Sequence, residues 1–122
     1  MQPSPQDLPP EAQDKIQKLQ KQKRKLEQIG EQKNRFKAED KRLEEGIKAL
    51  DEADEDKEVF KVVGPVGIKS NREDLKEELS EKKERIKSEI ESMENKENEI
   101  RESAKENQSK LREMMAGGKG MS

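Results

Sequence analysis

The sequence contains no cysteine and no histidine. Disulfide frameworks, thiolate metal sites, cysteine nucleophiles and histidine acid–base chemistry are thereby excluded, so no enzyme, no metal ion and no cofactor is expected. Long apolar runs are missing as well: none approaches the roughly 20 residues of a membrane span, and the polar, Pro-rich N-terminus lacks the apolar core of a signal peptide. A soluble, cytoplasmic protein without a membrane partner is the expectation. Apolar residues are scarce overall, 26% of 122 residues against 46% charged, which is too few for an ordinary globular core. What remains is long helix, coiled coil or disorder. The 27 basic residues nearly balance the 29 acidic ones, for a net charge of −2. This balance argues against a single polyanionic partner, and the regular spacing of the few apolar residues favours coiled coil over disorder.

The most apolar stretch lies near the middle, from Glu58 to Lys69. Val59, Phe60, Val62, Val63, Val66 and Ile68 crowd into it, interrupted once by Gly64-Pro65, and β-branched residues on either side of a turn signal read as a β-hairpin over about 58–70. In a two-residue loop Gly64 supplies the positive φ and Pro65 the fixed φ of a type II′ turn; a longer loop is the alternative. The two-residue loop sets Val63 opposite Val66, Lys61 opposite Ile68 and Val59 opposite Ser70, with Phe60 and Val62 on the other face. Both faces are then partly apolar. An isolated hairpin is marginal in water, and the chain supplies no third strand, so this one is expected to need partners.

Everything around the hairpin reads as helix. Residues 1–7 are expected to be disordered, and Leu8-Pro9-Pro10-Glu11 looks like a helix start, with a proline in the first turn and acid to suit its dipole. From there to about residue 53 a seven-residue repeat runs without proline. Ala12, Leu19, Leu26, Lys33, Asp40 and Ile47 fall at its a positions and Lys15, Gln22, Ile29, Phe36, Leu43 and Leu50 at d. Ile16 lies outside this seam. The acidic run from Asp51 to Asp56 opposes the helix dipole and ends the helix. Ser70-Asn71-Arg72-Glu73 carries the S-x-x-E capping box, with Asn71 as an alternative cap. A second helix is expected over about 72–115. Its a set is Lys76, Lys83, Ile90, Glu97, Ala104 and Leu111, and its d set Leu79, Ile86, Met93, Ile100, Asn107 and Met114. Gly117-Gly118 should stop it, leaving 117–122 as a flexible tail. Two nearly equal arms about a central reversal imply an antiparallel hairpin coiled coil. That pairing sets Lys33 near Glu97 and Gln22 near Asn107, polar contacts suited to fixing register.

Residues 8–116, with their Leu-Pro-Pro-Glu helix start, equal coil arms and single hairpin Val59-Phe60-Lys61-Val62-Val63-Gly64-Pro65-Val66, resemble the β-type prefoldin subunits, archaeal ones above all. Phe60 stands where the family usually has Tyr, and Gly67 where a bulky strand residue is common. The resemblance implies a mainly α fold whose hairpins assemble into an oligomeric β-barrel platform. It implies a hexamer of two α-type and four β-type subunits that holds unfolded client proteins without ATP and passes them to a group II chaperonin. By position, the client-binding tips would be Leu8, Ala12, Ile16, Leu19, Leu111, Met114 and Met115, and the oligomerisation hairpin Val59, Phe60, Val62, Val63, Val66 and Ile68. Flexible, polarizable Met suits varied partners. On periodicity alone, Ile16, Met114 and Met115 equally well close the coil end. Two other functions fit the pattern: a nucleic-acid-binding arm, suggested by Lys21-Gln22-Lys23-Arg24-Lys25, and a passive scaffold. The basic run has no aromatic stacking residue and acids follow it, so a solvated helix face is the simpler reading and no nucleic acid is expected.

Overall fold

The computed structural model describes residues 8–120. The expectations for residues 1–7 and 121–122 lie outside them. Two long helices, α1 (Pro10–Glu52) and α2 (Arg72–Gly120), flank a two-stranded antiparallel sheet of β1 (Val59–Val63) and β2 (Val66–Ser70).

Each boundary has a local cause. Pro10 opens α1, where a missing N–H costs nothing, and the Gln13 amide donates to the Pro9 carbonyl at 3.0 Å. At the other end Asp51 and Glu52 leave α1 without a basic residue in its last turn. The Arg72 guanidinium reaches back to the Ala53 carbonyl and supplies the positive charge that this helix end otherwise lacks. The start of α2 is capped by Asn71 rather than Ser70: Asn71 Oδ1 accepts from the Glu73 amide at 2.8 Å, while Ser70 is committed to β2, paired with Val59. Replacing Asn71 by Ala is therefore expected to lower stability by about 1 kcal/mol in urea unfolding, and replacing Ser70 by Ala by much less. The far end of α2 departs from expectation, because the helix continues through Gly117 and Gly118 to Gly120. Glycine costs a helix only about 1 kcal/mol relative to alanine, so it weakens the ladder of hydrogen bonds without forbidding it.

In the hairpin, Val63 pairs with Val66, Lys61 with Ile68 and Val59 with Ser70, the register of a two-residue loop. Gly64 has φ +57°, a value that a side chain would strain, so glycine is required there.

The chain forms two compact units, one from Met1–Gln32 and Met93–Ser122 and the other from Lys33–Ser92. Each pairs a stretch of α1 with an antiparallel stretch of α2. In the second unit a Cβ on Gly46 would lie 3.3 Å from Leu79 Cδ1, so the missing side chain is what lets the helices approach there. Ion pairs cross the same seam, from Lys76 to Asp51 and from Lys83 to Asp40 and Glu44 at 3.9 and 4.0 Å. In the first unit the crossing is a polar network. Lys15 Nζ donates to Asn107 Oδ1 at 3.2 Å, Asn107 Nδ2 to Gln22 Oε1 at 3.3 Å, and Gln22 Nε2 to Ser103 Oγ at 2.9 Å. Asn107 is only 5% exposed, so these bonds satisfy an amide that would otherwise be buried without partners. Every a and d position expected on either helix is buried or half-buried, and Ile29, Leu43 and the carboxylate-bearing Glu97 are among the most enclosed.

Candidate functional site

The hairpin is held to the helices by charge and by a few apolar contacts. Lys61, half-buried on β1, is ion-paired with Glu78 of α2, and Lys69 of β2 lies 3.2 Å from Glu58 across the strands. Beneath the sheet, Ala49 and Leu50 of α1 and Leu75 and Leu79 of α2 line a groove of about 380 Å³ shared with Val59, Phe60 and Val62. Leu75 is buried although it belongs to neither the a nor the d set; its neighbourhood is created by the hairpin, so heptad spacing could not reveal it.

The hydrogen bond from Lys61, and then its charge, hold the Glu78 carboxyl below its ordinary 4.5. The hydrogen bond and charge of Asp51 hold the Lys76 ammonium above its ordinary 10.5. The Glu78 contribution is thus fully present above the ordinary carboxylate value and is lost as pH falls through the lowered one. The Lys76 contribution is fully present below 10.5 and is lost as pH rises through the raised value. At neutral pH both anchors are intact. Acidification below the carboxylate range is expected to increase hydrogen–deuterium exchange in β1, and Glu78→Gln should reproduce that increase at pH 7. Unchanged exchange in the variant would mean that the Glu78 link does not anchor the strand.

Both faces of the hairpin are partly open. Phe60, Val63, Val66 and Ile68 are each about half exposed and Val62 is 76% exposed, while Val59 is half-buried. Five large apolar side chains are thus exposed on a ten-residue sheet with two unpaired edges, Phe60 and Val62 on one face and Val63, Val66 and Ile68 on the other, a surface that water does not favour.

The other candidate residues gather in the first unit. Ala12 has no exposed surface, so it packs the coil and offers no contact area. Leu8, Ile16, Leu19, Leu111 and Met114 are half-buried, and Met115 is 43% exposed. Ile16, outside the expected seam, forms with Leu19, Leu26 and Ala104 an open groove of about 380 Å³, with Lys23 and Gln108 at its edge. Met114 lies instead on another groove, among Lys15, Lys18 and Lys21 with Glu11 and Asp14. In the basic run, Lys21, Lys23, Arg24 and Lys25 are exposed and Gln22 faces the coil. Among the described residues no helix is long and apolar enough to cross a membrane, and no acidic cluster is arranged to hold a metal ion.

Comparison with known proteins bears on this arrangement. The prefoldin subunit family model matches residues 13–118. A prefoldin subunit beta from Archaeoglobus fulgidus is 30% identical over 110 residues, covering 90% of this chain and 95% of the relative. One from Sulfolobus acidocaldarius is 34% identical over 116 residues, covering 89% of this chain and 87% of that protein. Among solved structures, the prefoldin beta subunit from Thermococcus strain KS-1 superposes with a TM-score of 0.81 at 23% identity, over 88% of this chain and 94% of that one.

Proposed function

The chain belongs to the prefoldin subunit family, and from that premise we propose that it is the β-type subunit of an ATP-independent holdase. Its hairpin joins those of other subunits in a β-barrel platform, in a hexamer of two α-type and four β-type chains. The coil ends hold non-native proteins in the cytoplasm and release them to a group II chaperonin. The observation that carries this reading is the hairpin, which exposes Phe60, Val62, Val63, Val66 and Ile68 together in the single chain. A two-stranded sheet of this kind is marginal alone and is stabilised when further strands cover its edges and faces. Capture at the tips requires no catalytic group and no nucleotide. It requires several weak apolar patches held close together, so that a client leaving one remains bound by the others.

The test is to assemble the chain with an α-type subunit and dilute a denatured client into the complex while following light scattering. Suppressed aggregation is expected, and aggregation equal to that in buffer would overturn the holdase reading in favour of a passive scaffold. Leu8→Ser, Ile16→Ser, Met114→Ser and Met115→Ser combined should preserve the assembly mass and weaken protection severalfold. Full protection by this variant would place the client surface elsewhere.

A further inference from the structure

The Ile16 groove carries a pattern of charge that the holdase reading does not use. In the seven-residue repeat, Ile16 and Lys23 occupy e positions on α1, and Arg101, Gln108 and Met115 occupy e positions on α2. In an antiparallel pair these two rows flank the seam on the same side, as shown by the groove that Ile16 and Lys23 share with Gln108. Lys105 and Arg112, one turn apart from these residues at b, stand behind the α2 row. Between residues 101 and 115, α2 thus places Arg101, Lys105 and Arg112 on the groove side. Its carboxylates Glu102, Glu106 and Glu113 fall at c and f, around the helix. Interspersed signs are the usual state of a solvated helix; here the groove side carries no carboxylate, and Lys110, at g, is the one cation of this stretch on the other side.

Except for Arg101, the cations on the groove side are also available. Glu106 is taken by Lys110, at 3.4 Å, and Arg101 lies 3.7 Å from Glu97. Among the described residues, Lys23, Lys105 and Arg112 make no ion pair, and all three are exposed. Glu27, one turn beyond Lys23, closes the cationic stretch at that end. The result is an apolar floor of Ile16, Leu19, Leu26 and Ala104 edged by Lys23, Gln20 and Gln108, with Lys105 and Arg112 one row further out on α2 completing a positive rim. Lysine and arginine stems extend such a floor while their heads remain in water.

Resting on the holdase reading, we propose that this groove selects non-native segments in which a large apolar side chain is flanked by carboxylates. The apolar side chain fills the groove, and the flanking carboxylates meet Lys23, Lys105 and Arg112 within the roughly 8 Å over which charges act at physiological salt. Segments flanked by lysine meet the same rim as repulsion, so the sign of the flanks discriminates between otherwise equal apolar cores.

The experiment uses the chain assembled with an α-type subunit and three fluorescent peptides that share a Leu-Phe-Leu centre, flanked on both sides by Glu, Gln or Lys. Anisotropy titration is expected to rank them Glu, then Gln, then Lys, with about a tenfold difference in Kd between the extremes that shrinks in 0.5 M salt. Lys23→Glu, Lys105→Glu and Arg112→Glu together should reverse the ranking without changing helicity or assembly mass, since all three residues are exposed. Equal binding of the three peptides, or a Glu preference that survives charge reversal, overturns the inference. In either case suppressed client aggregation leaves the holdase reading standing. Failure of all three peptides to bind, together with unsuppressed aggregation, overturns both.

Discussion

Val62→Asp is expected to abolish assembly of the chain with its partner subunits while its far-ultraviolet circular dichroism remains that of a helical protein. Val62 is 76% exposed in the single chain, so aspartate there meets water and costs the isolated fold almost nothing. In the proposed barrel platform the same position would be covered. Full burial of a valine contributes roughly 1.5–3 kcal/mol, and an uncompensated carboxylate in its place adds a larger penalty, repeated in every β-type copy. Adding Val59→Asp and Ile68→Asp should make the defect complete. Val59 and Val62 both line the groove under the sheet with Leu75, but Val59 is half-buried there and Val62 mostly exposed, so the single Val62 variant disturbs the hairpin least and is the cleaner test. Light-scattering mass after size exclusion gives the answer, and a persisting hexamer would refute a barrel built from these hairpins.

The second large effect is expected inside the chain. Leu75→Ala should lower stability by about 2–5 kcal/mol, read as a fall in urea midpoint at fixed protein concentration. Leu75 is buried between α2 and the hairpin, with Leu50, Ala53 and Leu79 around the same groove. Because that groove opens to solvent, water can enter the space left by the leucine, which places the expected loss toward the lower end of the range. The hairpin should also lose its orientation on the helices. Assembly is therefore expected to weaken along with stability, whereas Val62→Asp affects assembly alone. Unchanged stability would mean that Leu75 is not part of the packing that holds the sheet.

The contrast between Val62 and Leu75 shows which parts of the molecule were legible in its sequence. Seam positions were legible because a two-helix contact samples the chain at a fixed interval; even the polar intruders Gln22 and Asn107 meet as their places in the repeat predict. The hairpin register followed from the two-residue Gly64-Pro65 loop, since loop length leaves one pairing. Leu75 sits one residue before an a position, and its burial depends on where the hairpin folds back, which no local spacing encodes. The same holds for Arg72, whose guanidinium meets the end of α1 only after the strands have brought the two helix ends together. Between Ser70 and Asn71 the capping pattern was degenerate, and strand pairing of Ser70 decided it. The candidate tip was legible as a composition and not as a surface. Ala12, fully buried, and Met115, 43% exposed, look alike as apolar residues near a coil end.

The exposed apolar residues of the hairpin also bear on how cells supply this chain. A copy made without partners displays Phe60, Val62, Val63, Val66 and Ile68 beside unpaired strand edges, the kind of surface that quality-control machinery recognises on damaged proteins. Each unmatched copy is thus a candidate for edge-to-edge aggregation and, under the proposed holdase function, a competitor for the coil ends of finished complexes. On that reading, overproduction of this subunit alone should consume chaperone capacity rather than add to it, and synthesis matched in dosage to the proposed α-type partner should relieve the effect.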